Sequence, residues 1–146
     1  MTTFLELVEV HAGYGPVEVL QGIDLTVAEG EVVVVLGANG AGKTTMMRAV
    51  SGTIARALMS RPRLLLCDEP SLGLAPIIVQ ELLQAIRRIT RDEGMSAIIV
   101  EQHPQAILAI SDTAAVLDHG TVVHQDTAAK LKDQPELLAR LLGVAR

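Results

Sequence analysis

The sequence predicts an α/β protein whose sheet is mostly parallel, with a smaller antiparallel β region at its N-terminus. Segments 32–36, 63–67 and 96–100 are apolar over nearly their whole length, as strands covered on both faces are. Segments with helical periodicity stand between them, and this alternation favours parallel pairing. The chain before residue 32 instead alternates apolar and polar residues between turn signals, which predicts antiparallel strands.

The N-terminal region is predicted to form two strands joined by a tight turn. Residues 4–10 alternate like a half-buried strand, residues 13–16 are typical of a turn, and residues 17–27 carry the second strand pattern. A further turn at 29–31 leads into the first buried strand. Residues 1–31 are therefore expected to form a β subdomain.

A helix is expected to begin at Gly42 or Lys43. Apolar residues recur at helical spacing straight through Gly52, so one helix over residues 43–60 is predicted, ended by Pro62. A break at Gly52 is the alternative, because glycine costs about 1 kcal/mol relative to alanine inside a helix.

The second half of the chain continues the alternation. Pro76 starts a predicted helix that runs to about Glu93, with Gly94 as its cap. Its apolar face would consist of Ile78, Val79, Leu82, Leu83, Ile86 and Ile89.

A short helix over 104–110, a hairpin of strands 113–117 and 121–124, and two helical pieces within 127–142 complete the prediction. The chain is expected to be a single domain over residues 1–146. Its parts would be the β subdomain, a core over 32–125 and C-terminal helices over 126–146.

Composition and charge exclude several classes of protein. With 49% hydrophobic and 20% charged residues, the chain is globular. A net charge of −5 argues against a nucleic-acid-binding surface. The apolar runs are too short to cross a bilayer and the N-terminus lacks a secretory signal pattern, so a cytoplasmic protein without direct membrane insertion is expected. The single cysteine, Cys67, is interpreted as a small buried core residue.

A glycine-rich loop after the first buried strand is the clearest functional signal. It reads G-x-x-x-x-G-K-[ST], the pattern that cradles the phosphates of a nucleoside triphosphate with backbone N–H groups and a helix N-terminus. Lys43 is expected at the β- and γ-phosphates of ATP, and Thr44 to offer its hydroxyl to Mg²⁺. The pattern predicts a P-loop NTPase core. The expected nucleotide-binding residues of the loop are Gly37, Ala38, Asn39, Gly40, Ala41, Gly42, Lys43, Thr44 and Thr45.

Two adjacent carboxylates, Asp68 and Glu69, close the next buried strand. Asp68 is expected to hold Mg²⁺, directly or through water, and Glu69 to polarise the attacking water. The alternative is a pair of solvated carboxylates at a strand end, which the phosphate loop upstream disfavours.

Several motifs in order resemble the ATP-binding subunit of an ABC transporter. They are residues 13–15, the phosphate loop, residues 56–63, residues 64–70 and residues 71–76. Residues 71–76 and 100–102 are similar to the branched-chain amino acid importer type. The resemblance covers nearly the whole chain.

The resemblance implies further roles. Tyr14 would stack on adenine, unless it is a lone aromatic in a turn. Residues 71–75 would cross a dimer interface, unless they form an ordinary strand-to-helix connection. Gln102 falls where the family places a catalytic switch histidine, and a helix-capping or solvated role is expected for the adjacent His103.

One departure from the family pattern bears on activity. The family carries a helical subdomain between the phosphate-loop helix and the Asp-Glu strand, with a glutamine loop and a Leu-Ser-Gly-Gly-Gln signature. Here residues 50–54 run directly into residues 55–58, and no Ser-Gly-Gly occurs anywhere. The sequence resembles an internal deletion that joined two helices in phase.

The resemblance therefore implies an ATP-binding subunit of a branched-chain amino acid importer, with hydrolysis and coupling impaired by the deletion. Its implied partners are ATP with Mg²⁺, a homologous ATPase subunit and a membrane permease, which would hold it at the inner face of the plasma membrane. The alternative is a nucleotide-binding module or remnant without transport activity that docks on an intact homologue.

Overall fold

The structure is a computed structural model that describes residues 2–54, 63–102 and 104–143. These residues form two sheets with helices packed around the larger one. No described helix is long and apolar enough to span a membrane. The elements are β1 (Thr3–Tyr14), β2 (Val17–Ala28), β3 (Val32–Leu36), α1 (Lys43–Ile54), β4 (Leu64–Asp68), α2 (Pro76–Asp92), β5 (Ser96–Glu101), α3 (Pro104–Ile107), β6 (Thr113–Asp118), β7 (Thr121–Thr127), α4 (Ala128–Lys132) and α5 (Pro135–Leu141).

The larger sheet has the strand order β4-β5-β3-β6-β7. The first four strands are parallel, with Val34 beside Ile99 on one side and Ala114 on the other, and β7 is antiparallel to β6. β1 and β2 form a separate antiparallel ribbon. The predicted mixed α/β architecture is confirmed, and β5 lies between β3 and β4.

Successive residues of β3 enter two apolar cores on opposite faces of the sheet. Val33 and Val35 pack with α1 and the β1–β2 ribbon, whereas Val32 and Val34 pack with α2 and the later helices. All five residues of β3 are fully buried. This two-sided burial explains why the strand is apolar at every position.

Several boundaries differ from the expectation. β1 reaches from Thr3 to Tyr14 because shifts in its register with β2 let pairing continue past the alternating segment. α1 includes Gly52 and is helical to Ile54, which confirms the first part of the predicted helix. The predicted remainder, residues 55–60, lies outside the described residues.

The predicted apolar face of α2 is wider than the face that packs. Leu83 and Ile86 are buried, but Ile78 and Ile89 are 45% and 47% exposed. Thr90 instead is buried and donates its hydroxyl to the carbonyl of Arg87. Helical spacing marks the apolar stripe, but the neighbouring elements decide how much of it is covered.

Cys67 is partly buried rather than a full core residue. Among the described residues, its strand β4 lies at one edge of the larger sheet. Burial nevertheless raises the pKa of the Cys67 thiol, which keeps it protonated at neutral pH.

Candidate nucleotide site

The phosphate loop lies where β3 ends and α1 begins. Gly37 is buried against β6, and a Cβ there would come within 2.6 Å of the carbonyl oxygen of Leu117. Gly42 has a φ of +103°, which side chains rarely adopt. Both glycines therefore permit a path that places the exposed residues 38–40 at the carboxyl end of the sheet.

Lys43 is buried within this loop and bonds to it. Its ammonium donates to the carbonyl oxygens of Gly37 at 2.6 Å and Ala38 at 3.0 Å. Burial lowers the pKa of the Lys43 ammonium, opposed by the negative charges of Glu69, Asp68 and Glu101. An ammonium has three N–H donors, so one N–H remains for an anionic ligand.

The structure brings the predicted pair Glu69 and Gln102 together. The Gln102 side-chain amide donates to Oε1 of Glu69 at 2.6 Å. Glu69 has a φ of +46°, and its backbone N–H donates to the carbonyl oxygen of Val100 on the adjacent strand. The turn after β4 therefore aims the carboxylate at the end of β5, where Gln102 follows.

Glu101 is a candidate site residue that the sequence analysis did not identify. Its side chain is 2% exposed, although it carries a carboxylate. Oε1 accepts hydrogen bonds from the backbone N–H and the hydroxyl of Ser71, and Oε2 accepts one from the Gln102 N–H. Its only sequence signal is an acidic residue that ends an apolar strand directly before Gln102.

Tyr14 lies beside the first turns of α1. Its hydroxyl accepts a hydrogen bond from Arg48 at 2.9 Å, and the guanidinium carbon is 6.0 Å from the ring centre. The hydrogen bond with Thr45, followed by that from Arg48, lowers the pKa of the Tyr14 phenol. The side chain is 52% exposed, so part of the ring is open to a ligand.

The segment over residues 71–75 forms a turn between β4 and α2. The Leu72 N–H donates to the Glu69 carbonyl and the Leu74 N–H to that of Ser71. Leu72 is 72% exposed. An exposed apolar side chain, that of Leu72, therefore lies in the turn that follows Glu69.

The donor set at the end of the sheet suits a Mg²⁺ ion held together with phosphates. Thr44 and Asp68 are both exposed there, and Asp68 is close enough to Lys43 to affect its pKa. Mg²⁺ prefers oxygen ligands and usually combines one or two protein groups with phosphate and water. A hydroxyl and a carboxylate fit that requirement.

Known proteins share part of this sequence. A family model described as ABC transporter matches residues 20–54, which include β3, the phosphate loop and α1. The high-affinity branched-chain amino acid transport ATP-binding protein BraG of Pseudomonas aeruginosa is 48% identical over 90 residues, which are 62% of this chain and 38% of that protein. BraF of the same organism is 30% identical over 92 residues, which are 63% of this chain and 36% of BraF. The matched part therefore spans little more than a third of either relative.

Solved structures share the fold. A nucleotide-free ATP-binding cassette from an ABC transporter superposes with a TM-score of 0.83 at 13% identity, over 96% of this chain and 98% of that one. CbiO1 from Clostridium perfringens, part of the ABC transporter complex CbiONQ, gives 0.81 at 16% identity, over 97% and 95%. This likeness shows that the chain has the fold of ATP-binding cassettes, and part of its sequence is similar to ABC transporter ATP-binding proteins.

Proposed function

We propose that the chain binds Mg²⁺-ATP and serves as the ATP-binding subunit of an ABC-type importer for branched-chain amino acids. The observation that carries the proposal is Lys43, buried in a phosphate loop next to the Glu69–Gln102 pair. The transported substrate is inferred from the BraG and BraF relatives.

The nucleotide would lie along the phosphate loop. The remaining N–H of Lys43 would bind the β- and γ-phosphates, and backbone N–H groups of residues 38–42 would bind the others. Thr44 and Asp68 would hold Mg²⁺, which would offset phosphate charge. Tyr14 would pack against the adenine ring with its exposed part.

Glu69 would orient the attacking water. Its carboxylate already accepts one hydrogen bond from Gln102, which fixes one oxygen and leaves the other available to a water. Gln102 would thereby align the base toward the γ-phosphate. A homologous subunit would dock on residues 71–75, and a membrane permease would hold the assembly at the inner face of the plasma membrane.

A second candidate is a nucleotide-binding module without transport activity. The favouring observation is that only residues 55–63 connect α1 to β4. A segment of that length cannot hold the helical subdomain that the resemblance implies for a coupled transporter subunit.

The test is calorimetric titration with Mg²⁺-ATP. Lys43→Ala removes the only cation inside the described phosphate loop, so we expect binding at least about tenfold weaker. Lys132→Ala, an exposed lysine on α4, is the matched control and should bind like the unmodified chain. Equal affinity in all three proteins would contradict the proposed site.

A further inference from the structure

Arg48 is a positively charged residue of α1 that the proposed site does not use. It lies one helical turn beyond Thr45, and residues at positions i and i+3 share one face of a helix. The Arg48 guanidinium donates a hydrogen bond to the hydroxyl of Tyr14 at 2.9 Å. The phenol is therefore bonded to the same helix that begins at the phosphate loop.

This hydrogen bond matters because Tyr14 lies at the end of a strand and is not enclosed by the fold. It is the last residue of β1, next to the turn that leads into β2, and about half of its side chain is exposed. An aromatic side chain on such a turn would otherwise sample several rotamers. A base can stack well only on a ring whose orientation is fixed in advance.

We propose that Arg48 is the positioning residue for nucleobase recognition, because it fixes the Tyr14 ring against α1 in the orientation that receives the base. The proposal rests on the proposed function and adds a residue to it. Arg48 would act on the base through Tyr14, and its guanidinium would not be a phosphate ligand.

The test compares binding of ATP and of inorganic tripolyphosphate, which lacks the nucleoside. Stacking of a base on an aromatic side chain is worth about tenfold in affinity or more. Arg48→Ala should therefore weaken ATP binding about tenfold and leave tripolyphosphate binding unchanged. Arg88→Ala, an exposed arginine on α2, is the matched control and should change neither.

Two further variants separate positioning from packing. Tyr14→Phe keeps the ring but removes the hydroxyl that Arg48 holds, so it should lower ATP affinity like Arg48→Ala. The double variant should lose no more ATP affinity than either single variant, because both substitutions remove the same hydrogen bond between Arg48 and Tyr14. Additive losses would contradict the proposal.

Tyr14 itself gives a readout that does not depend on ligand binding. It is the only tyrosine, and the chain has no tryptophan, so ultraviolet titration reports its phenol alone. In Arg48→Ala the pKa should rise toward the ordinary value of 10.0, and in Arg88→Ala it should not move.

The possible outcomes are distinguishable. Weakened tripolyphosphate binding in Arg48→Ala would mean that Arg48 binds phosphate, which overturns the inference alone. Unchanged ATP binding in that variant would overturn it as well. An unmodified chain that binds neither ligand would overturn the proposed function and the inference together.

Discussion

At the scale of single residues, Glu101 joins the loop that follows β4 to the residue that follows β5. Three donors converge on its buried carboxylate, two from Ser71 and one from Gln102. Gln102 in turn donates to Glu69. One carboxylate thus connects the exposed turn at residues 71–75 with the predicted catalytic pair.

Replacement of Glu101 by glutamine should test this connection. A glutamine has one acceptor oxygen, so either Ser71 or the Gln102 N–H would lose its partner in a partly buried place. We expect the free energy of unfolding to fall by about 1–3 kcal/mol, measured by urea denaturation. Glu93→Gln, on the exposed C-cap of α2, should change it by less than about 0.5 kcal/mol. Equal changes in the two variants would mean that the hydrogen bonds to the Glu101 carboxylate do not stabilise the fold.

At the scale of elements, the turn between β6 and β7 supports the phosphate loop. Gly120 donates its N–H to the carbonyl of Ala41 and accepts a hydrogen bond from the Gln21 N–H of β2. It therefore links the hairpin, the ribbon and the start of α1. A Cβ at Gly120 would come within 1.8 Å of the Val19 carbonyl oxygen, so the ribbon approaches too closely for any other residue.

Gly120→Ala should therefore be strongly destabilising. Gly30→Ala is a matched control, because its φ of +74° is similar to the +79° of Gly120 but nothing lies within 4 Å of its added Cβ. The control should cost about 1 kcal/mol from backbone strain alone, and Gly120→Ala about 2 kcal/mol or more beyond that. Thermal unfolding of both variants measures the difference, and similar midpoints would refute the close approach.

The opposite end of the sheet is tied by Asp112. Its carboxylate accepts two hydrogen bonds from Arg87 of α2, both at 2.8 Å, and one from the Val32 N–H at the start of β3. Burial acts to raise the pKa of Asp112, but the hydrogen bonds from Arg87 and Val32 outweigh it and lower the pKa. The ionised carboxylate is therefore the form that the folded protein favours.

This gives a pH dependence with a defined sign. A carboxyl whose pKa is lower in the folded state stabilises the protein above its unfolded pKa of 3.8, and the contribution disappears as the pH falls through the lower folded value. Asp112→Asn should cost about 1–2 kcal/mol at pH 7, after allowance for partial exposure of the pair. Urea denaturation at pH 7 and pH 3 should show the difference between the two proteins shrinking. A difference that is constant with pH would contradict the assignment.

The elements that the sequence predicted well are those whose pattern has one physical cause. β3 and β5 are apolar because both faces are covered, and the phosphate loop has glycines because its path requires them. The features that the sequence analysis did not predict depend on tertiary contacts. Glu101 and Arg48 reach their hydrogen-bond partners only when distant segments meet, and Ile78 of α2 is exposed because no described element covers it.

At the scale of the whole molecule, the edge position of β4 matters most. The strand that carries Asp68 ends the larger sheet within the described residues, whereas the resemblance implies a further subdomain before that strand. Under the proposed function, the chain would keep the groups that bind and align a nucleotide on one side. Its sequence contains no Ser-Gly-Gly, so it would lack the signature motif that the resembled family uses to enclose the γ-phosphate of an opposing subunit.

We expect the isolated chain to hydrolyse ATP very slowly, although Glu69 and Gln102 are in contact. Preorganised donors from an opposing subunit would stabilise the charge that develops during transfer, and each lost donor costs about 10²–10³ in rate. Water would also reach the phosphates freely and weaken the electrostatic effect of Lys43. Phosphate release by the purified chain, with Glu69→Gln as the background control, measures this.

An intact homologue supplies the second half of the experiment. If it docks on residues 71–75 and lends its signature to this chain's nucleotide, one of the two composite sites should regain activity that Glu69→Gln in this chain abolishes. The other composite site holds the homologue's nucleotide and needs a signature from this chain, so it should stay inactive. Glu69→Gln in this chain would therefore remove nearly all ATP hydrolysis by the mixed pair. Rapid hydrolysis by the chain alone, lost in Glu69→Gln, would instead show that the signature is dispensable here and that the shortened connection between α1 and β4 does not impair the site.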